Sequence, residues 1–209
     1  MNMEISPEAL EFLWFLLFGM RYEYAKNNIE KTLLKCARLA YRDFCRTLKY
    51  KTDSIAERKE FVGEICASLV SKITDELFKC SSEEEFDKKH KEICEWVITE
   101  FNEKDILREP FCYGQAQKWL NMTLKNMIVT GFWDKDENFK RIKNWMHVPV
   151  DSNIITKAKI DFQITPENKT WSRWEYDLYI DFQNRIRDGI KKNKKYKNPI
   201  DWEFDKWYK

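Results

Sequence analysis

Glycine and proline are scarce in this chain, with five residues of each among 209. Sheet-rich and doubly wound folds turn often and place these two residues at their turns. Their scarcity therefore argues against an all-β fold and against a Rossmann-like fold. Because 43% of the residues are hydrophobic, the chain can still bury a substantial core. Its length predicts one domain or two small subdomains.

The chain also lacks the spacings by which cysteine and histidine bind metals. Its six cysteines, at positions 36, 45, 66, 80, 94 and 112, include no Cys-x-x-Cys pair, and its two histidines add no zinc-binding pattern. We therefore predict no metal and no cofactor, and we interpret the cysteines as reduced core residues. His90, on an apolar helix face, and His147 are interpreted as buried structural residues.

No segment has the length and composition of a membrane span. The apolar run Leu10–Gly19 is too short to cross a bilayer and follows Glu4 and Glu8. It also lacks the basic leader and the small-residue cleavage site of a signal peptide. We therefore expect a cytoplasmic protein with no membrane partner.

Apolar residues recur at spacings of three and four along most of the chain, which predicts an all-α protein of about nine helices. Ser6 and the proline after it form a helix start. The pattern predicts continuous helix over 21–50, a helix over 113–130 that ends at Gly131, a helix that Asp151 opens, and a long helix over 171–192.

The charge is distributed unevenly between two predicted lobes of one compact unit. The N-terminal helical lobe, residues 1–110, holds 18 Lys and Arg against 22 Asp and Glu, whereas the lobe of residues 111–209 holds 19 against 13. A basic surface in the second lobe fits nucleic acid. It fits an ordinary solvated surface equally well, and both interpretations are open.

Two short motifs lie in the second lobe. Tyr113-Gly114-Gln115-Ala116-Gln117-Lys118 reads as a turn with one glycine that leads into a helix, and Val148-Pro149-Val150-Asp151 places an aspartate where it can cap the next helix. A lysine and an aspartate at two helix starts can face one cleft. Chemistry that needs an amine nucleophile beside a carboxylate uses that arrangement.

These two motifs resemble the helix-hairpin-helix DNA glycosylase superfamily, most closely its 8-oxoguanine DNA glycosylase branch. In that family a hairpin ends in a catalytic lysine, and a Val-Pro-Val-Asp segment supplies the catalytic aspartate. Lys118 and Asp151 fall on those positions. The stretch 179–187 and Trp202 resemble the closing helices less specifically, and the whole chain is similar to small bacterial or phage-defence members with this fold.

The chain departs from the family pattern in three ways. Ala116 stands at the second hairpin glycine, where close backbone approach to a phosphate is expected. Lys118 and Asp151 are 33 residues apart, more than is usual in the family. The iron–sulfur cysteines of some relatives and the N-terminal β-domain of the larger ones are absent from this sequence.

The resemblance implies a DNA-repair or defence enzyme, both hydrolase and lyase, that removes a modified base through a lysine Schiff base. It implies DNA as partner, with a further protein partner open and the oligomeric state undetermined. The predicted DNA-binding residues are Tyr113, Gly114, Gln115, Ala116, Lys191, Lys192, Lys194 and Lys195. The predicted base pocket comprises Phe182, Gln183 and Met122.

Two other functions are open from the sequence. The chain can be a non-catalytic helical protein that keeps the glycosylase fold and binds nucleic acid or another protein. It can also be an interaction scaffold built on its first four helices. For each residue a structural role is the alternative, because a first-turn lysine is often solvated and an aspartate after a proline is often a plain helix cap.

Overall fold

A computed structural model describes residues 6–51, 54–133 and 136–207. Within these residues 75% lie in helices and no strand is present. The predicted all-α class is therefore confirmed, with ten α-helices rather than about nine. One isolated β-bridge joins Tyr50 to Leu107.

The helices have the following bounds in chain order: α1 Pro7–Phe18, α2 Tyr22–Asn27, α3 Ile29–Phe44, α4 Ile55–Asp75, α5 Glu83–Lys104, α6 Tyr113–Thr130, α7 Glu137–Lys143, α8 Ser152–Phe162, α9 Tyr176–Asn193 and α10 Pro199–Trp207. Short 3-10 turns lie at 45–47, 77–79 and 171–173.

Two predicted helices are shorter in the structure than the sequence pattern indicated. The helix expected over 21–50 is interrupted at Asn28, whose φ of −133° and ψ of 61° lie outside the helical region. The helix expected over 171–192 begins only at Tyr176. The carbonyl of Trp174 instead accepts a hydrogen bond from the Gly114 N–H at 2.9 Å, so a tertiary contact replaces a helical one.

Helix α6 lies at the centre of the fold, and most of its side chains are buried. It runs antiparallel to α3. The Gln115 Nε2 donates to the Thr47 Oγ1 at 3.1 Å near one end, and the Asn126 Nδ2 donates to the Cys36 carbonyl at 3.1 Å toward the other. Lys118 therefore lies level with the C-terminal turn of α3.

The buried apolar residues form one hydrophobic cluster to which both predicted lobes contribute. Trp119 of α6, for example, contacts Phe44 and Phe101 of the first segment, with ring centroids 5.6 and 6.0 Å apart. The two segments thus share a core. Their division at residue 110 stays a prediction.

The outward face of α1 is apolar and exposed. Phe12 and Leu16 are 61% and 62% exposed, whereas Trp14 and Phe18 of the same helix are buried. Across the described ranges, none of the helices combines the length and the apolarity needed to span a bilayer.

Gly114 is the position where a side chain is least tolerated. A Cβ there would lie 1.9 Å from the carbonyl oxygen of Trp171, which is a backbone atom. Because the backbone of α6 approaches the 171–174 turn this closely, any side chain at residue 114 must push the two apart. Glycine is therefore required here by packing.

We expect Gly114→Ala to lower the free energy of unfolding by about 3 kcal/mol or more, because overpacking against backbone is not relieved by a rotamer change. Chemical denaturation measures the change. Gly63→Ala in α4 is the matched control, since its Cβ meets nothing closer than an Arg38 guanidinium nitrogen at 3.9 Å. That variant should gain about 0.5 to 1 kcal/mol. Equal effects of the two variants would contradict the packing argument.

Candidate active site

Lys118 and Asp151 form a close ion pair. The Lys118 Nζ lies 2.8 Å from the Asp151 Oδ2 and 3.1 Å from the carbonyl oxygen of Pro149. The lysine side chain is 4% exposed and the aspartate side chain 19%. The close approach that the resemblance implied is thus present, and the catalytic roles of the two residues stay a prediction.

Asp151 is held in place as the N-cap of α8, as the sequence predicted. Its Oδ1 accepts a hydrogen bond from the Ile154 N–H at 2.9 Å, and its backbone is extended at φ −150°. One carboxylate oxygen therefore caps the helix while the other accepts from Lys118. This double engagement fixes the orientation of the carboxylate toward the amine.

Two buried glutamines hold the extended segment that leads to Asp151. Gln183 of α9 accepts from the Val148 N–H at 3.1 Å and donates to its carbonyl at 2.8 Å. Gln117 of α6 accepts from the Val150 N–H at 3.2 Å and donates to its carbonyl at 3.1 Å. Each side-chain amide thus satisfies both backbone groups of one residue. Pro149, whose carbonyl accepts from Lys118, is fixed between them.

The role of Gln117 was not predicted from the sequence. The sequence offered one indication of this role. Gln117 is an amide residue directly before Lys118, in a helix whose other positions are mostly buried. The predicted base-pocket residue Gln183 has both of its amide groups engaged by Val148. Phe182 is buried against Trp174, with ring centroids 5.2 Å apart, and Met122 is 6% exposed. A base pocket formed by these residues stays a prediction.

The segment from Tyr113 to Lys118 forms the first turns of α6, as the predicted helix over 113–130 indicated, and the separate turn that its glycine suggested is not present in this segment. Tyr113, Gly114, Gln115 and Ala116 are all buried. The Gly114 N–H donates to the carbonyl of Trp174, and the Ala116 N–H donates to that of Cys112. These amides are therefore engaged within the protein rather than directed at solvent.

The predicted DNA-binding lysines lie at the C-terminal end of α9 and just beyond it. Lys191, Lys192, Lys194 and Lys195 are exposed, and the Lys195 Nζ lies 3.3 Å from the Asp205 carboxylate. The N-terminal residue of α9, Tyr176, contacts Tyr113 with ring centroids 5.3 Å apart. Because α9 rises 1.5 Å per residue, these lysines lie about 24 Å along the helix from that contact.

A second buried ion pair lies about two helical turns along α6 from Lys118. The Lys125 Nζ is 2.6 Å from the Glu203 Oε1, and the Glu203 side chain is fully buried. Burial raises the pKa of Glu203, although Lys125 opposes the shift. The other carboxylate oxygen, Oε2, is buried with no hydrogen-bond partner among the described residues. This pair was not predicted from the sequence.

Both histidines are buried, as the sequence predicted, and they belong to one hydrogen-bonded network. The His147 Nε2 lies 2.8 Å from Asp87, and its Nδ1 lies 2.6 Å from the Tyr179 hydroxyl. The His90 Nε2 lies 2.9 Å from the Asn121 Oδ1. A neutral ring that donates through Nε2 satisfies each of these contacts.

The network ends in an ion pair on α5 and α9. Arg187 donates to both carboxylate oxygens of Asp87 at 2.7 Å. Burial raises the pKa of Asp87, but the hydrogen bonds from Arg187 and His147 outweigh burial and hold the pKa well below its usual range. Asp87 therefore stays ionised and orients His147 through its Nε2–H.

Stability should fall as the pH falls below 6.5. Burial lowers the pKa of His147 to about 4 and lowers that of His90 well below its usual 6.5. Protons therefore bind the unfolded chain before they bind the native one, so stability is lost between pH 6.5 and 4. Each histidine contributes up to about 1.4 kcal/mol per pH unit. Urea unfolding across this range measures the slope.

The chain contains only these two histidines, so His147→Gln provides the control. In that variant we expect roughly half of the slope to remain over the upper part of the range, contributed by His90. A wild-type stability that does not change between pH 6.5 and 5 would contradict the buried, neutral state of both rings.

No group of three or more His, Cys, Asp or Glu residues is placed to hold a metal ion within the part of the chain that the structure describes. The chain matches no known protein-family model, and no curated protein or solved structure is significantly similar to it.

Proposed function

We propose that this protein is a DNA glycosylase with an associated lyase activity, and that Lys118 is its nucleophile. The observation that supports the proposal is the 2.8 Å approach of the Lys118 Nζ to the Asp151 carboxylate across 33 residues of sequence. These are the two residues that the family resemblance selects. The resemblance covers two short motifs, and the chemistry of the pair is what supports the step from that resemblance to an activity.

An amine attacks carbon only after it has lost its extra proton. Asp151 is the carboxylate within hydrogen-bonding distance of the Lys118 Nζ, so it is the group that would accept that proton. The amine would then bond to the sugar C1′. The glycosidic bond would break, and its electron pair would leave with the base, which takes up the proton that Asp151 had accepted and so returns Asp151 to its carboxylate form.

The amine and the sugar carbon would then form an imine as the sugar ring opens. An imine at C1′ acidifies the adjacent C2′ hydrogen, so elimination of the 3′ phosphate can follow and cut the strand. During base loss the sugar carries positive charge. The Asp151 carboxylate, already oriented by the Ile154 N–H, would stabilise that charge without further reorganisation.

Access to the amine is narrow. Lys118 is almost enclosed, and Asp151 is the more exposed member of the pair. A sugar would therefore reach the amine from the side of Asp151, with its base out of the stack. Such a site suits a nucleotide that has left the duplex better than one that remains paired.

A non-catalytic binding protein is the second candidate, and the structure of the first turn of α6 favours it. The amides expected at a hairpin are engaged by Trp174 and Cys112 instead of being free for a phosphate. In this case the Lys118–Asp151 pair would be a structural ion pair that joins α6 to α8. Such a protein would bind nucleic acid or another protein through other surfaces.

Borohydride trapping distinguishes the two candidates. Wild-type protein is incubated with DNA duplexes that carry an abasic site or a modified base, in the presence of borohydride. The glycosylase proposal expects a permanent protein–DNA cross-link, because borohydride reduces the imine to a stable amine. Absence of both cross-link and base release across a panel of such duplexes would leave the binding protein as the better conclusion.

A further inference from the structure

Four basic residues follow one another along one face of α3 and the 3-10 turn that continues it. Lys35, Arg38, Arg42 and Arg46 are spaced by three, four and four residues, which places them on one side of a helix. The three arginines are exposed and Lys35 is partly buried. We call these four residues the α3 basic row. At 1.5 Å per residue the row is about 16 Å long.

Three members of the α3 basic row, Lys35, Arg38 and Arg42, form one wall of a cleft of about 650 Å³ between α1, α3 and α4. Arg58 and Lys59 of α4 line the opposite side, and Leu16, Leu17 and Ile55 supply apolar surface. No carboxylate of the described residues lines this cleft. It is therefore a basic, partly apolar groove.

The cations of the groove have no ion-pair partner among the described carboxylates. In residues 6–51, 54–133 and 136–207, no carboxylate forms an ion pair with any member of the row or with Arg58 or Lys59. Nearby Lys49 and Lys51 do have such partners, each at 2.6 Å. This concentration of positive charge lies in the segment whose overall charge is negative.

The C-terminal end of the row lies at the same end of α3 as Lys118, on the exposed face of the helix. Lys118 is level with the C-terminal turn of α3, because α3 and α6 run antiparallel with Gln115 bonded to Thr47. Asp43, between Arg42 and the end of the helix, is influenced by the charges of Lys118, Arg42 and Arg46. Burial raises the pKa of Asp43, and these cations oppose the shift. Asp43 therefore offsets part of the positive charge at this end of the row.

We propose that the α3 basic row binds the phosphate backbone of DNA. The inference rests on the proposed function and identifies a DNA contact on the N-terminal segment, away from the lysines at the end of α9. Arginine suits phosphate because its planar guanidinium can donate two parallel hydrogen bonds. A length of about 16 Å corresponds to about five phosphates of one strand.

An acidic helix of a partner protein is the competing occupant of this groove. The row favours DNA because its charges form a line at nearly regular spacing, as the phosphates of a strand do. An acidic helix would need only a localised cluster of charge beside the apolar surface.

The test compares two variants from which the same charge has been removed. Arg38→Gln combined with Arg42→Gln removes two members of the row. Lys88→Gln combined with Lys159→Gln removes two exposed lysines from α5 and α8 and is the control. The affinity of each for a labelled DNA duplex and for a labelled single strand is measured from roughly 50 to 200 mM salt. Circular dichroism melting confirms that both variants are folded.

We expect the row variant to bind about 10- to 100-fold more weakly at low salt, and the slope of log affinity against log salt to become shallower by about two. The control should change affinity by no more than a few-fold. Arg38→Lys combined with Arg42→Lys keeps the charge and should retain most of the slope. Row and control variants with equal affinity would overturn the inference.

The outcomes separate this inference from the proposed function. If wild type forms the borohydride cross-link while the row variant binds DNA as wild type does, the row is not the DNA contact and the glycosylase proposal stands. If the row variant loses binding while no substrate yields a cross-link or free base, the DNA contact stands and the enzyme proposal fails. A wild type that binds an acidic helical peptide through the row but no DNA overturns the inference.

Discussion

Lys118→Gln is expected to abolish the borohydride cross-link completely, because only a primary amine at the sugar carbon can form the imine that borohydride reduces. Glutamine keeps a hydrogen-bond donor near Asp151 and the Pro149 carbonyl, which accept from the Lys118 Nζ at 2.8 and 3.1 Å in the wild type. Denaturing gel electrophoresis of the trapped complex measures the result.

Two further variants show whether loss of the cross-link reports chemistry or folding. Lys118→Arg keeps the positive charge beside Asp151 and should therefore retain most of the stability, yet it should give no cross-link. Lys159→Gln removes an exposed lysine of α8 and should cross-link as wild type does. A persistent cross-link with Lys118→Gln would show that another lysine reacts, and peptide mapping of the trapped complex would identify it.

Asp151→Asn should slow base release by about 10²- to 10⁴-fold, the range by which a positioned acid or base accelerates proton transfer. Asparagine is as good a helix N-cap as aspartate, so the bond from the Ile154 N–H can persist. What the substitution removes is the negative charge that accepts the proton of Lys118 and stabilises the sugar cation. Single-turnover rates at saturating DNA measure the effect.

The capping and catalytic roles of Asp151 can be separated by comparing three substitutions. Asp151→Asn and Asp151→Ser both retain a capping oxygen, whereas Asp151→Ala does not and should lose about 1 kcal/mol more of stability. All three lack the carboxylate and should be similarly slow. Rates that follow the thermal stability of the three variants would contradict a catalytic role, since they would assign the loss to capping alone.

The sequence by itself determined the helical class and the local ends of several helices. Three- and four-residue apolar spacing is a local property, and a capping side chain acts within one turn. Ser6 at the start of α1, Asp151 at the start of α8 and Gly131 at the end of α6 therefore stand where the sequence predicted them. The burial of His90 followed from its position on an apolar face in the same way.

Tertiary contacts explain where the structure differs from what the sequence pattern predicted. Residues 113–118 belong to α6, as the predicted helix over 113–130 indicated, but the sequence did not show that α6 packs against the 171–174 turn or that its Gly114 N–H bonds to Trp174. The same contact accompanies the late start of the helix expected over 171–192, which begins only at Tyr176, since the Trp174 carbonyl accepts from another part of the chain. Local helix propensity does not predict a hydrogen bond between two segments that are so far apart in the sequence.

The candidate site shows the same division between local and distant effects. The sequence indicated that a lysine and an aspartate begin two helices, and the resemblance indicated that they meet. Their approach to 2.8 Å depends on Gln117 and Gln183, which hold the Val148 and Val150 backbones from two different helices. The α3 basic row likewise ends level with Lys118 only because α3 packs antiparallel to α6. The distance between two residues that are far apart in the sequence depends on how their helices pack, and a local sequence pattern does not specify that packing.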